Sequence, residues 1–203
     1  MKSIKKLAEF IEKSNVLFEA MTKDEKKVQI AKDCIERINL NQFIANTGNF
    51  ISDRTMDELR RKRVSSKSVK ELINNSDFPE CQVCAKGGLF LSYVGRVNQC
   101  NIIDIAVGNS IEDNSHKKLL EIFTERELAY IEFAFEGGQY ISIDLNGDYI
   151  HFTETESKRV FNFYQRYDDV DKRLIAICQN IIRNKGIFKL SKHYDKKIVQ
   201  KSL

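Results

Sequence analysis

Two thiols three positions apart open the stretch Cys81-Gln82-Val83-Cys84-Ala85-Lys86-Gly87-Gly88-Leu89-Phe90-Leu91-Ser92. Their spacing suits a metal clip, a dithiol redox pair or one face of a helix. A structural zinc site needs four ligands, usually two such pairs. Cys100 and His116 are available to complete one, but neither has a second ligand at knuckle spacing. A redox pair needs an exposed thiol of low pKa and normally a strand ahead of it, whereas residues 72–76 read as helical. Asp77 or Ser76 can cap a helix with Pro79 in its first turn. Both thiols then fall on one face of that helix's first turns, with Leu89 and Val94 further along. On this reading Cys81 and Cys84 are buried structural thiols, since free cysteine is among the most buried residue types. Gly87 and Gly88 become packing contacts. A zinc clip or a redox pair at Cys81 and Cys84 stands as the alternative.

Other constellations carry less. Gly87-Gly88 lies in neither a P-loop nor a dinucleotide fingerprint. Asp144-Leu145-Asn146-Gly147-Asp148 lacks the glycine at position six and the glutamate at position twelve that an EF-hand loop requires, so it reads as a turn. His116, His151 and His193 have no second ligand or nucleophile at a meaningful spacing. Glu154 and Glu156 suit a helix N-terminus rather than an acid/base pair.

Cations cluster twice. Arg54, Arg60, Arg61, Lys62, Arg63, Lys67 and Lys70 crowd one polar segment, and Lys185, Lys189, Lys192, His193, Lys196, Lys197 and Lys201 crowd the end of the chain. Such clusters hold nucleic-acid phosphates or an acidic protein surface when they are not simply solvated. The candidate binding residues are therefore Arg54, Arg60, Arg61, Lys62, Arg63, Lys67, Lys192, Lys196 and Lys197. No ring interrupts the first run, so base stacking is not expected there.

The elements that must position these groups are mostly helical. One proline and nine glycines in 203 residues leave few breakers,. Thr22, Ser68, Thr124 and Thr153 each precede a glutamate by three, the capping-box signature of a helix start. Apolar residues recur at helical spacing after three of them: Val28, Ala31, Cys34, Ile35 and Ile38; Leu128, Ile131, Ala134 and Phe135; and Val160, Phe161, Tyr164 and Tyr167. A last helix begins near Asp168–Asp171, runs through Leu174, Ile175, Cys178, Ile181 and Ile182, and stops at Gly186. Residues 140–152 alternate around Asn146-Gly147 and predict one small hairpin. The expected fold is mainly α: a compact multi-helix domain over residues 1–203 with a minor β-hairpin. A flexible basic segment at 52–67 and a basic C-terminal tail at 189–203 complete it.

Hydrophobic residues at 42% permit a sizeable core,. Net charge is only +4, too little for a dedicated nucleic-acid packager,. No apolar run reaches the roughly 20 residues of a membrane helix. Glu9 and Glu12 soon follow the basic start, so a secretory signal is not expected. Five cysteines, an odd number, fit a reducing cytosol,.

The motifs Lys27-Val28-Gln29-Ile30-Ala31-Lys32-Asp33, Cys81-Gln82-Val83-Cys84-Ala85-Lys86-Gly87, Ile131-Glu132-Phe133-Ala134-Phe135-Glu136 and Arg173-Leu174-Ile175-Ala176-Ile177, with Asn180-Ile181-Ile182 and Asn184-Lys185-Gly186, resemble a phage and prophage protein family. The resemblance runs from about residue 22 to residue 188. That family is defined by pattern rather than activity, so it supplies no catalytic residues. It implies a host-takeover or anti-defence protein of the anti-CRISPR kind. The expected function is a non-enzymatic phage-encoded inhibitor, in the cytoplasm of a bacterial host. It would bind a host defence protein or RNA-guided nuclease complex, with RNA contact, no membrane partner and no cofactor. The alternatives are a zinc-clipped nucleic-acid-binding module and a thiol redox enzyme.

Overall fold

A computed structural model describes residues 4–48, 50–51, 73–74, 80–97, 111–137 and 149–195. Seven α-helices lie among them: α1 (Ile4–Ala20), α2 (Lys23–Asn39), α3 (Ala85–Val94), α4 (Ile111–Leu119), α5 (Glu125–Glu136), α6 (Glu154–Tyr164) and α7 (Val170–Arg183). Two short strands, β1 (Phe43–Ala45) and β2 (Cys81–Val83), and a 3-10 turn at Lys192–Asp195 complete the described elements. The mainly helical expectation holds. The hairpin around Asn146-Gly147, the cap at Ser68 and the segment 52–67 lie outside the described residues. The described sheet is a parallel pair, with Phe43 opposite Cys81 and Ala45 opposite Val83.

The helix starts follow the capping chemistry. At α2 the Thr22 hydroxyl accepts from the Glu25 amide at 3.3 Å, and the Glu25 carboxylate accepts from the Thr22 amide at 2.9 Å. Thr124 with Glu127 and Thr153 with Glu156 repeat this at α5 and α6. Asp169 caps α7 by accepting from the Lys172 amide at 3.0 Å. Each reciprocal pair satisfies amides that the first turn would otherwise leave orphaned.

The core centres on α2 and α7, the most extensively packed pair, with α3 laid against both. Gly88 of α3 makes this approach feasible. A Cβ there would lie 3.2 Å from Cys34 Sγ of α2 and 3.4 Å from Leu174 Cδ2 of α7. Gly87 faces the other way, where a Cβ would sit 1.9 Å from the Phe50 carbonyl oxygen. Cys34 and Cys178 face each other across the α2–α7 seam, and that neighbour together with burial pushes the Cys178 thiol well up.

The inward face of α2 is more charged than its apolar stripe predicts. Lys27, Asp33 and Arg37 are buried with Ile30, Ala31, Cys34 and Ile38, while Val28 and Ile35 are half-buried. Lys27 binds Glu127 of α5 at 2.8 Å. Asp33 receives both Nε and Nη2 of Arg96, the latter at 2.9 Å, and Arg96 Nη1 reaches Ser14 of α1 at 3.1 Å. These pairs pin α1, α5 and the end of α3 to α2.

Two local expectations are corrected. Cys81 and Cys84 do not share a helix. Cys81 lies in β2, where its amide donates to the Gln42 carbonyl at 2.9 Å, and Cys84 is the N-cap of α3. Strand pairing with residues 43–45 extends the backbone through Val83, so the helix begins after the motif. Phe161 is a second correction. It was expected on the core stripe but is 47% exposed, while Asn162 and Phe163 take the inner face of α6.

Gly87→Ala is expected to destabilise by about 3 kcal/mol, because its methyl would meet a backbone oxygen. Gly88→Ala should cost about 1–2 kcal/mol, since a thiol and a leucine methyl can shift and helix propensity returns up to ~1 kcal/mol. Urea titration of both variants tests this order, and equal stabilities would contradict it.

Candidate functional site

Of the candidate binding cations, Lys192 is described and exposed. Arg54, Arg60, Arg61, Lys62, Arg63, Lys67, Lys196 and Lys197 lie outside the described residues. Cys81 and Cys84 are buried at 0% and 5% exposure, and Gly87 and Gly88 are buried beside them.

Cys84 occupies a position that ordinarily favours a thiolate, the N-terminus of a helix. Its Sγ accepts from the Gly87 amide at 3.4 Å. Burial outweighs that help and pushes the thiol up to about 12, with Glu132 adding repulsion and Lys86 opposing it. Glu132 and Lys86 pair with each other at 2.9 Å. At neutral pH Cys84 is therefore a protonated capping group, unsuited to nucleophilic attack or to metal ligation without loss of its proton. Among the described residues, no three His, Cys, Asp or Glu side chains gather to hold a metal ion.

A second feature is a cleft of about 680 Å³ between α1, the start of α2, the end of α3 and the end of α4. Its charges pair internally, Lys118 with Glu121 at 2.6 Å and Lys26 with Glu19 at 3.9 Å. Charge on this wall is largely self-compensated and selects no ligand sign.

The C-terminal segment behaves differently. Residues 185–195 fold back along α6, with Phe188 and Leu190 buried. Asn162 Nδ2 donates to the Tyr194 carbonyl at 2.7 Å, and Arg166 Nη2 to the His193 carbonyl at 3.1 Å. Arg159 forks onto Asp195, with Nε to Oδ1 at 2.6 Å and Nη2 to Oδ2 at 3.2 Å. This hydrogen-bonded fork, strengthened by the charges of Lys158 and Lys192, holds the Asp195 carboxyl below its ordinary value. The Arg166 guanidinium lies 4.5 Å over the Tyr194 ring, a cation–π stack,. The ring edge of Tyr194 meets Phe163 at 5.5 Å and His193 at 5.4 Å. Burial raises the Tyr194 hydroxyl, against the pull of Arg166 and Arg183.

The result is a basic face whose cations come from three elements. Lys158 and Arg159 belong to α6 and Arg166 to the turn that closes it, Arg183 to α7, and Lys192 with His193 to the returning segment. Lys158, Arg183, Lys192 and His193 are exposed. Reading the sequence for basic runs found only the last group. Arg159 and Arg166 are seven apart, one helical face, and that spacing was the available signal. Arg183 had none, since its effect on Tyr194 arises between residues eleven positions apart on different elements.

The buried thiols give a direct test. Iodoacetamide at pH 8 should leave Cys34, Cys81, Cys84 and Cys178 unmodified in the folded protein and label all four in guanidinium, read by peptide mass spectrometry. Rapid native labelling of Cys84 would contradict its burial. Stability should also fall as pH rises above about 9, where the unfolded chain releases a Cys84 proton that the folded state keeps up to about 12,.

No family model, no curated protein and no solved structure matches the chain.

Proposed function

We propose that the chain is a non-enzymatic, phage-encoded inhibitor that binds a host defence protein or RNA-guided nuclease complex and grips it through the C-terminal basic face. One observation carries this reading: cations from α6, the turn after it, α7 and the returning segment gather around Tyr194 and Asp195, and the Arg159 and Arg166 guanidiniums are held there by hydrogen bonds to the Leu190 and His193 carbonyls. Fixed cations lose less freedom on meeting phosphates than mobile ones do. They also bind by displacing counterions, without needing sequence readout. The resemblance to the phage family supports placing that grip on a host defence complex. The zinc-clip and redox readings draw little support, because both need a Cys84 thiolate and burial opposes it.

Tagged protein should co-purify an RNA-guided nuclease with its guide from a host that carries one, identified by mass spectrometry and RNA sequencing. Combining Lys158→Glu, Arg166→Glu and Lys192→Glu should cut recovery at least tenfold. Raising salt from 50 to 200 mM should weaken wild-type binding on the order of 20-fold if three phosphates are contacted. Recovery without any nucleoprotein, or unchanged by the triple variant, would refute the proposal.

A further inference from the structure

Phe161 is out of place for a core side chain. Its neighbours Val160 and Phe163 are buried at 0% and 1% exposure, while Phe161 is 47% exposed. Among the described residues it makes no ring–ring or cation–ring contact, whereas Phe163 meets Tyr167, Phe188 and Tyr194. On α6 it stands one turn from Lys158 (i−3) and from Gln165 (i+4), both exposed,. Lys158 adjoins Arg159, which grips Asp195 at 2.6 Å in the 3-10 turn that also carries Lys192. An exposed ring is thus continuous with the basic face, flanked by a cation and an amide.

This arrangement resting on that face being the gripping surface, we infer that its ligand is single-stranded nucleic acid, with Phe161 as the platform for an unstacked base and Lys158 and Lys192 as phosphate contacts. Every base has a π-face, so stacking on an aromatic side chain tolerates sequence. In a duplex the base faces are already covered by their neighbours, and an isolated ring has nothing to stack on. A single strand can splay one base onto Phe161 while its backbone follows the cations. The Gln165 amide can donate to a base edge or a phosphate from the adjacent turn.

Fluorescence anisotropy on the full chain tests this with three probes: a 15-nucleotide oligouridine, a 15-nucleotide oligothymidine and a 15-base-pair DNA duplex. Both single strands should bind at least tenfold more tightly than the duplex, and the ratio between them reports any preference for RNA. Phe161→Ala should weaken single-strand binding about 5- to 100-fold, leave the salt slope unchanged, and be rescued by Phe161→Trp. Lys158→Gln with Lys192→Gln should instead lower the salt slope by about 1.4. Because Phe161 is exposed, Phe161→Ala should melt with the wild type, so a loss of binding is not a loss of fold. Duplex binding as tight as single-strand binding, or no effect of Phe161→Ala, overturns the inference. If nucleoprotein capture persists while no oligonucleotide binds, the inference fails and the inhibitor proposal stands on a protein contact. If Phe161→Ala weakens capture but not oligonucleotide binding, the ring touches protein and the inference also fails.

Discussion

The missing side chain of Gly88 sets the spacing of the molecule's centre. Because nothing projects from that position, α3 rests against Cys34 of α2 and Leu174 of α7 at once. A bulkier residue would hold α3 off both helices and open voids that a close-packed interior does not tolerate cheaply. The contact of Cys34 with Cys178 closes the same seam from the α2–α7 side. Gly87 turns this three-helix junction toward the strands by admitting the Phe50 carbonyl. The Cys81–Gly88 stretch therefore acts as a joint: a strand residue, a capping thiol and two contact glycines, each used once.

Buried charge gives the helices their register. Arg96 with Asp33, Lys27 with Glu127 and Lys86 with Glu132 each join two elements across the core. Removing one partner of such a pair leaves an uncompensated charge, typically at about 3–5 kcal/mol. Arg37 finds oxygens instead: the Ile73 carbonyl at 3.0 Å and the Asn74 side chain at 2.7 Å. Burial pulls its guanidinium down to about 10, which still leaves it charged at neutral pH.

Arg173 links this core to the basic face. From α7 it donates to the Phe135 carbonyl at 2.8 Å, at the end of α5, and to the Tyr167 carbonyl at 2.7 Å, just past α6. Carbonyls at a helix C-terminus carry partial negative charge and lack intrahelical partners, so a buried guanidinium suits them. Its plane also stacks on Tyr164 at 3.9 Å. These contacts fix the rotation of α6. That rotation sends Asn162 and Phe163 inward, Arg159 and Arg166 toward the returning segment, and Lys158 and Phe161 into solvent.

Local chemistry was legible in the sequence. The capping boxes at Thr22, Thr124 and Thr153, the helix start near Asp168–Asp171 and the helical class all follow from interactions spanning three or four residues, which the order of residues alone specifies. The placement of Cys81 and Cys84 did not follow, because strand pairing with residues 43–45 is a contact across more than thirty-five positions. Nor did the inward charges of α2, whose partners Arg96 and Glu127 lie far along the chain. Phe161 shows the limit most clearly. Periodicity placed it on an apolar stripe, but a stripe names a face only to within the rotation of its helix. Tertiary contacts through Arg173, Asn162 and the returning segment chose that rotation, and with it which cations and which ring meet the solvent.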